Sequence, residues 1–274
     1  MSNQIGIMQG RLSPPINGRI QAFPKQTWRD EFGKARACGL DLIEWIFEAD
    51  EWEKNPLISA LQEVLRLSQH SGVQIVSMCA DYFMDLPLIR VSRTDQETRL
   101  DMLKELIARA EQLGVKYLGM PFVDASAIKT EEEQEEVMRY LRGCLPLAER
   151  SGVQLALETS LDPPTFTELL ARLDHPNVKV NYDIGNSASL GYDTREEIEA
   201  YGKRIATIHV KDRKRGGGTV PLGTGDADFD ATFAALAGAG YQGPFILQAA
   251  RDGEETLLAE RNVQFVRRYL EKYF

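Results

Sequence analysis

The sequence predicts a (β/α)8 barrel, on three observations. Apolar, strand-like runs alternate eight times with amphipathic helical segments. Three of the joins repeat one short pattern, a helix stopping at a glycine before a strand: SGVQIVSM from Ser71, LGVKYLGM from Leu113 and SGVQLALE from Ser151. Glycine ends helices this way because it enters the left-handed conformation without steric cost. Finally, 274 residues suit one such barrel, which commonly runs to about 250 residues. With no linker visible, a single domain over residues 1–274 is expected.

In chain order, the first strand is Ile5 to Gln9, followed by GRLSPPINGR, where Pro14, Pro15 and Gly18 prevent regular structure. The first helix runs from Trp28 to Cys38, the second strand from Leu40 to Phe47 and the second helix from Pro56 to His70. Strand three is Val73 to Ala80 with Asp81 just beyond it; helix three is Asp95 to Leu113, stopped by Gly114. Strand four, Lys116 to Met120, leads into helix four, Thr130 to Arg150, whose acidic start from Glu131 to Glu136 suits the positive end of the helix dipole. Strand five is Val153 to Leu157, helix five Thr165 to Leu173, strand six Val178 to Tyr182 and helix six Arg195 to Lys203. Strand seven is the stretch IATIHVKDR from Ile205, helix seven Phe229 to Ala239, strand eight Pro244 to Leu247 and helix eight Glu254 to Tyr273.

The formal charge of −9 argues against a nucleic acid partner, since phosphate backbones select basic surfaces. Cys38, Cys79 and Cys144 are far apart, odd in number and set among apolar residues. They predict buried thiols and a cytoplasmic setting. No run approaches about 18 uninterrupted apolar residues, so no membrane segment is expected.

Active-site groups of such barrels sit at the C-terminal ends of the strands. Glu158, Asp183, His209 and Gln248 fall at the tips of strands five to eight and so converge on one side of one mouth. Two carboxylates, an imidazole and an amide oxygen suit a single divalent ion, Mn²⁺ first, with Co²⁺, Zn²⁺ or Mg²⁺ as the other choices. Around them, the stretch Lys211 to Gly218 holds Lys211, Arg213, Lys214 and Arg215 before three glycines. In barrels of this kind the loops after strands seven and eight often bind phosphate, and this basic segment is a candidate to grip one. Arg11 and Arg251 are further candidate anion contacts, and Trp45 and Phe47 a candidate apolar wall for a sugar.

The segments LALETS, NYDIGNS, TIHVKDR and FILQAAR, with IGIMQGRLSP at the start, resemble the xylose isomerase-like TIM barrels, in particular their sugar phosphate isomerase and epimerase branch. The resemblance covers nearly the whole chain. It implies an isomerase-class enzyme acting on a small sugar or sugar phosphate, and a homodimer. It also implies one ion held by Glu158, Asp183, His209 and Gln248. Asn186, one helical turn after Asp183, stands where related epimerases place a substrate-contacting histidine.

At the fourth ligand this sequence departs from the family, which has a glutamate there. The family's two glutamates flank the substrate carbon and exchange its proton through a metal-bound enediolate. Gln248 can offer an oxygen to an ion but cannot take up a proton. Glu158 is then the evident base, and epimerisation needs a substitute; Asp212, Asp81 and Glu44 are the candidates, with Asp212 placed first. Two other readings stay open on the same scaffold, a dehydratase of an inosose- or dehydroshikimate-like compound and a non-catalytic sugar-binding barrel. DNA-repair relatives use several histidines for three ions, whereas this chain has only His70, His175 and His209.

Overall fold

The computed structural model describes residues 3–274; Met1 and Ser2, the first two residues of the expected domain, lie outside that range. Eight parallel strands close on themselves: β1 (Ile5–Met8), β2 (Leu42–Ile46), β3 (Ser77–Cys79), β4 (Tyr117–Phe122), β5 (Gln154–Thr159), β6 (Val178–Asp183), β7 (Ile205–Val210) and β10 (Phe245–Leu247). Each pairs with its sequence neighbour in the barrel, and β1 pairs with β10 to complete the ring. A separate antiparallel ribbon, β8 (Asp212–Arg213) with β9 (Thr219–Val220), stands above the barrel after β7.

The outer layer is α1 (Trp28–Ala37), α2 (Pro56–Ser59), α3 (Leu61–Ser71), α4 (Tyr82–Asp85), α5 (Arg93–Leu113), α6 (Glu131–Arg150), α7 (Pro163–Leu173), α8 (Ile184–Leu190), α9 (Thr194–Tyr201), α10 (Phe229–Gly238) and α11 (Glu255–Tyr273). Side-chain oxygens at their starts occupy free backbone donors: Ser92 caps α5, Thr130 α6, Asp162 α7, Asp193 α9 and Asp228 α10. Gly72 and Gly114 end α3 and α5 in the left-handed conformation, as the repeated join requires. No helix among the described residues is long and apolar enough to cross a membrane.

Between β6 and β7 the register slips after Val180, so that Asn181 pairs with Thr207 and Asp183 with His209. Such an irregularity re-aims side chains at a strand end. Here it brings two polar pairs level with each other at the mouth.

Several expected boundaries move. The second expected helix is two, α2 and α3, because Ala60 leaves helical geometry between them. Strand three shrinks to Ser77–Cys79, with Gln74 making only an isolated bridge to Leu42. The expected strand through Arg213 ends at Val210; Lys211 breaks it, and Asp212 and Arg213 belong to the ribbon. Helices α4 and α8 were not expected, being too short to show a period. Trp45 and Phe47 are fully buried rather than walls of the mouth. Trp45 packs on Phe23 and Trp28 and donates to Asn55 Oδ1 at 3.0 Å. All three cysteines are free and buried.

Candidate active site

The site is built first by β5, β6 and β7. Their tips bring ligand atoms of Glu158, Asp183 and His209 within 4.8 Å of one another. His209 is wholly buried, and its two ring nitrogens face different partners. Nε2 lies 2.7 Å from Glu44 Oε2, in the middle of β2, while Nδ1 faces Glu158 at 3.4 Å and Asp183 at 3.8 Å. A carboxylate on one imidazole nitrogen fixes the ring and turns the other toward a ligand. Glu44 therefore orients His209, and its expected place among the substitute bases is corrected.

Asn181, absent from the sequence reading, lies beneath these groups. Its amide donates to Glu158 Oε2 at 2.8 Å, and its oxygen accepts from Thr207 at 2.8 Å. The only advance signal was its inward register two residues before Asp183. Glu158 Oε1 accepts from Asn186 Nδ2 at 2.6 Å, so amides hold both carboxylate oxygens.

Charge is concentrated here. Burial works against an imidazolium at His209, but Glu44, joined by Asp183 and Glu158, outweighs it and holds the ring's pKa well above the ordinary histidine range. Burial also disfavours an ionised Asp183, yet the Lys211 ammonium and His209 prevail and hold that carboxyl well below the usual range. Asp183 is also the N-cap of α8, accepting from the Asn186 backbone at 2.8 Å.

The opposite wall comes from the loop after β1 and from the tips of β3 and β10. Gln21 is its hub and was not foreseen, since it sits in an irregular loop. Its Oε1 accepts from Gln248 Nε2 at 2.9 Å and from Arg11 at 3.4 Å, while its Nε2 donates to Asp81 Oδ2 at 2.5 Å. Gln248 Oε1 is buried with no hydrogen-bond partner, as are Nε and Nη1 of Arg11. Burial first, and then Arg251, lowers the Arg11 guanidinium to about 9. These walls enclose a cavity of about 510 Å³ bordered by Arg11, Gln21, Asp81, Glu158, Arg213 and Gln248, within the range of about 300–1,000 Å³ usual for small-ligand sites.

The expected anion contacts divide. Lys211 and Arg213 reach the cavity with Asn186 between them. Lys211 Nζ is 2.6 Å from Asp183, and Arg213 donates to Asn186 Oδ1 at 2.8 Å and to the Gly217 carbonyl. Arg251 does not border that cavity. Its guanidinium donates to the carbonyls of Ile20, Ser13 and Gly10 and pairs with Glu255, so the anion-binding expectation for it is corrected: it clasps the first loop to the last.

The catalytic expectation for Asp212 is corrected likewise. Its fully buried carboxylate accepts backbone hydrogen bonds from Gly223 at 2.9 Å, Gly225 at 2.8 Å and Ala227 at 3.2 Å. A methyl group at Gly225 would overlap it. Asp212 folds the segment after the ribbon and does not border the cavity.

Glu158, Asp183 and His209 form a set that can hold a divalent ion, with mixed oxygen and nitrogen donors. The unpartnered, buried Oε1 of Gln248 fits the same purpose, because a buried carbonyl oxygen without a donor is costly unless something else satisfies it.

A family model described as a xylose isomerase-like TIM barrel matches residues 32–269. An L-ribulose-5-phosphate 3-epimerase, UlaE of Shigella boydii serotype 18, is 26% identical over 265 residues, covering 90% of each chain. Among solved structures, an L-ribulose 3-epimerase aligns with a TM-score of 0.80 at 18% identity over 99% of this chain and 95% of its own. The IOLI protein with a bound zinc atom aligns with a TM-score of 0.78 at 19% identity over 99% of both chains.

Proposed function

Because the chain belongs to the xylose isomerase-like TIM barrel family, we propose that it is a divalent-ion-dependent isomerase or epimerase of a sugar or sugar phosphate, with Glu158 as base. The observation that carries this reading is the placement of Glu158: it borders the cavity, both its oxygens are held by amides, and Asp183 and His209 stand beside it. The similarity to a sugar-phosphate epimerase over 90% of each chain supports the substrate class.

Glu158, Asp183, His209 and Gln248 would hold the ion, Mn²⁺ first and otherwise Co²⁺, Zn²⁺ or Mg²⁺. When bound, it supplies Lewis acidity toward a substrate hydroxyketone. Glu158 takes the proton from the carbon beside the carbonyl, and Asn186 and Asn181 keep its carboxylate aimed. Lys211 balances the charge of Asp183. Arg11, with two unpartnered donors, takes an anionic or hydroxyl-rich end of the substrate, and Arg213 with Asn186 closes that side.

The test is solvent exchange. Protein loaded with Mn²⁺ is incubated in D₂O with pentuloses and hexuloses, free and phosphorylated. Deuterium is expected beside the carbonyl of at least one, abolished by chelation and about 10²–10⁴-fold slower in Glu158→Gln. Bound metal with no exchange into any of these sugars would overturn the proposal.

A further inference from the structure

We infer that Asp81 is the second proton-transfer group of this cavity, acting on the face of the substrate opposite Glu158. The inference rests on the reading of Glu158 as base. With glutamine at position 248 and the Asp212 carboxylate filled by backbone donors, a two-face reaction needs another acid. Glu44 is engaged with His209 and lies outside the cavity border. Asp81 is the buried carboxyl that remains: it stands past the tip of β3, is 8% exposed and borders the same cavity as Glu158.

Its setting suits an acid that must also serve as a base. Oδ2 accepts from Gln21 and Oδ1 faces the Cys79 thiol at 3.0 Å. Through Gln21 the carboxyl is tied to Gln248, so a chain of side chains runs from the non-ionisable fourth ligand position to an ionisable group. Burial, reinforced by Glu48 and Glu158, raises Asp81 to about 6 despite the two hydrogen bonds. A group titrating near neutrality exists in both forms and can give or take a proton.

The step balances without an oxidant or reductant. Glu158 removes the proton from the carbon beside the carbonyl; the C–H pair becomes a C=C bond and the C=O pair moves onto oxygen. Asp81, as the neutral acid, gives its proton to the opposite face of that carbon and the carbonyl re-forms. Glu158 ends protonated and Asp81 ionised, and exchange with water resets both. The reverse reaction exchanges the roles.

That symmetry supplies the test, run on Mn²⁺-loaded protein in D₂O with a ketose or ketose phosphate that the wild type epimerises. Asp81→Asn is expected to lower epimer formation about 10²–10⁴-fold, while deuterium still enters the epimer whose proton Glu158 removes and no longer enters the other. Glu158→Gln should give the mirror result. Equal loss of both exchanges in folded Asp81→Asn, or no loss of epimer, overturns the inference. So does a wild type that exchanges deuterium but forms no epimer. A wild type that exchanges with no sugar overturns the proposed function itself. Should Asp81→Asn fail to fold, Gln21→Met removes the amide donor to Asp81 together with the oxygen that accepts from Gln248 and Arg11, and is expected to lower epimer formation relative to exchange; an unchanged ratio overturns the inference.

Discussion

Replacing Asp212 by Asn separates a loop-folding role from a catalytic one. In the wild type, the fully buried Asp212 carboxylate accepts at Oδ2 from the Gly223 and Gly225 backbone and at Oδ1 from Ala227. Asn keeps one acceptor oxygen and turns an NH₂ group toward a backbone N–H. One donor is left unsatisfied, at about 1–3 kcal/mol, and two charge-assisted bonds become neutral, at roughly 1 kcal/mol each. The sum, about 3–5 kcal/mol, corresponds to a fall in Tm of about 5–9 °C for a chain of this size. Thermal unfolding by circular dichroism gives the shift, and hydrogen exchange at Gly223, Gly225 and Ala227 should lose protection first. A Tm within 1 °C of wild type, together with a large loss of turnover, would refute the structural assignment and return Asp212 to the catalytic list.

Two further outcomes follow from the charges of the site. His209 is held above its unfolded pKa, so its contribution to the ion-free protein is fully present below about pH 6.5 and is lost as pH rises through the elevated folded value. A divalent ion needs the neutral imidazole and so displaces that proton. Mn²⁺ should therefore raise Tm more at pH 8 than at pH 6, and equal increments would contradict the arrangement. Arg251→Ala should cost about 2–3 kcal/mol by freeing the carbonyls of Gly10, Ser13 and Ile20 and raise substrate KM less than Arg11→Met, which should raise KM at least tenfold with a smaller change in Tm. Steady-state kinetics and melting curves of the two variants check the contrast.

The barrel was legible because its signals are local: eight apolar runs alternating with helical segments, and repeated glycine stops. Glu158, Asp183 and His209 could be found for the same reason, each standing at the end of a recognisable strand and meeting the others once the strands are closed into a ring. Asp212 misled because its position after β7 looked like theirs. Its role is set by three backbone donors more than ten residues further on. Arg251 is likewise decided by carbonyls over 230 positions away in the chain. Gln21 lies in a segment with no period to read, and its importance comes only from what it touches. Charge and spacing say which side chains can do chemistry; long-range hydrogen bonding says which of them are already occupied.

The Arg251 clasp also bears on how this protein could be reshaped. It pins the loop after β1, which carries Arg11 and Gln21, to the segment just after β10. The ion-holding side chains Glu158, Asp183 and His209 come from three consecutive strands of the other arc. Three of the four proposed ion-holding side chains thus stand on one arc, and the loop that lines the substrate side stands on the other, anchored by Arg251 together with Glu31 and Glu48. Libraries confined to Arg19, Ile20, Met84 and Asp85, which border the cavity, should retune which sugar enters while leaving ion affinity in place, provided the clasp is kept.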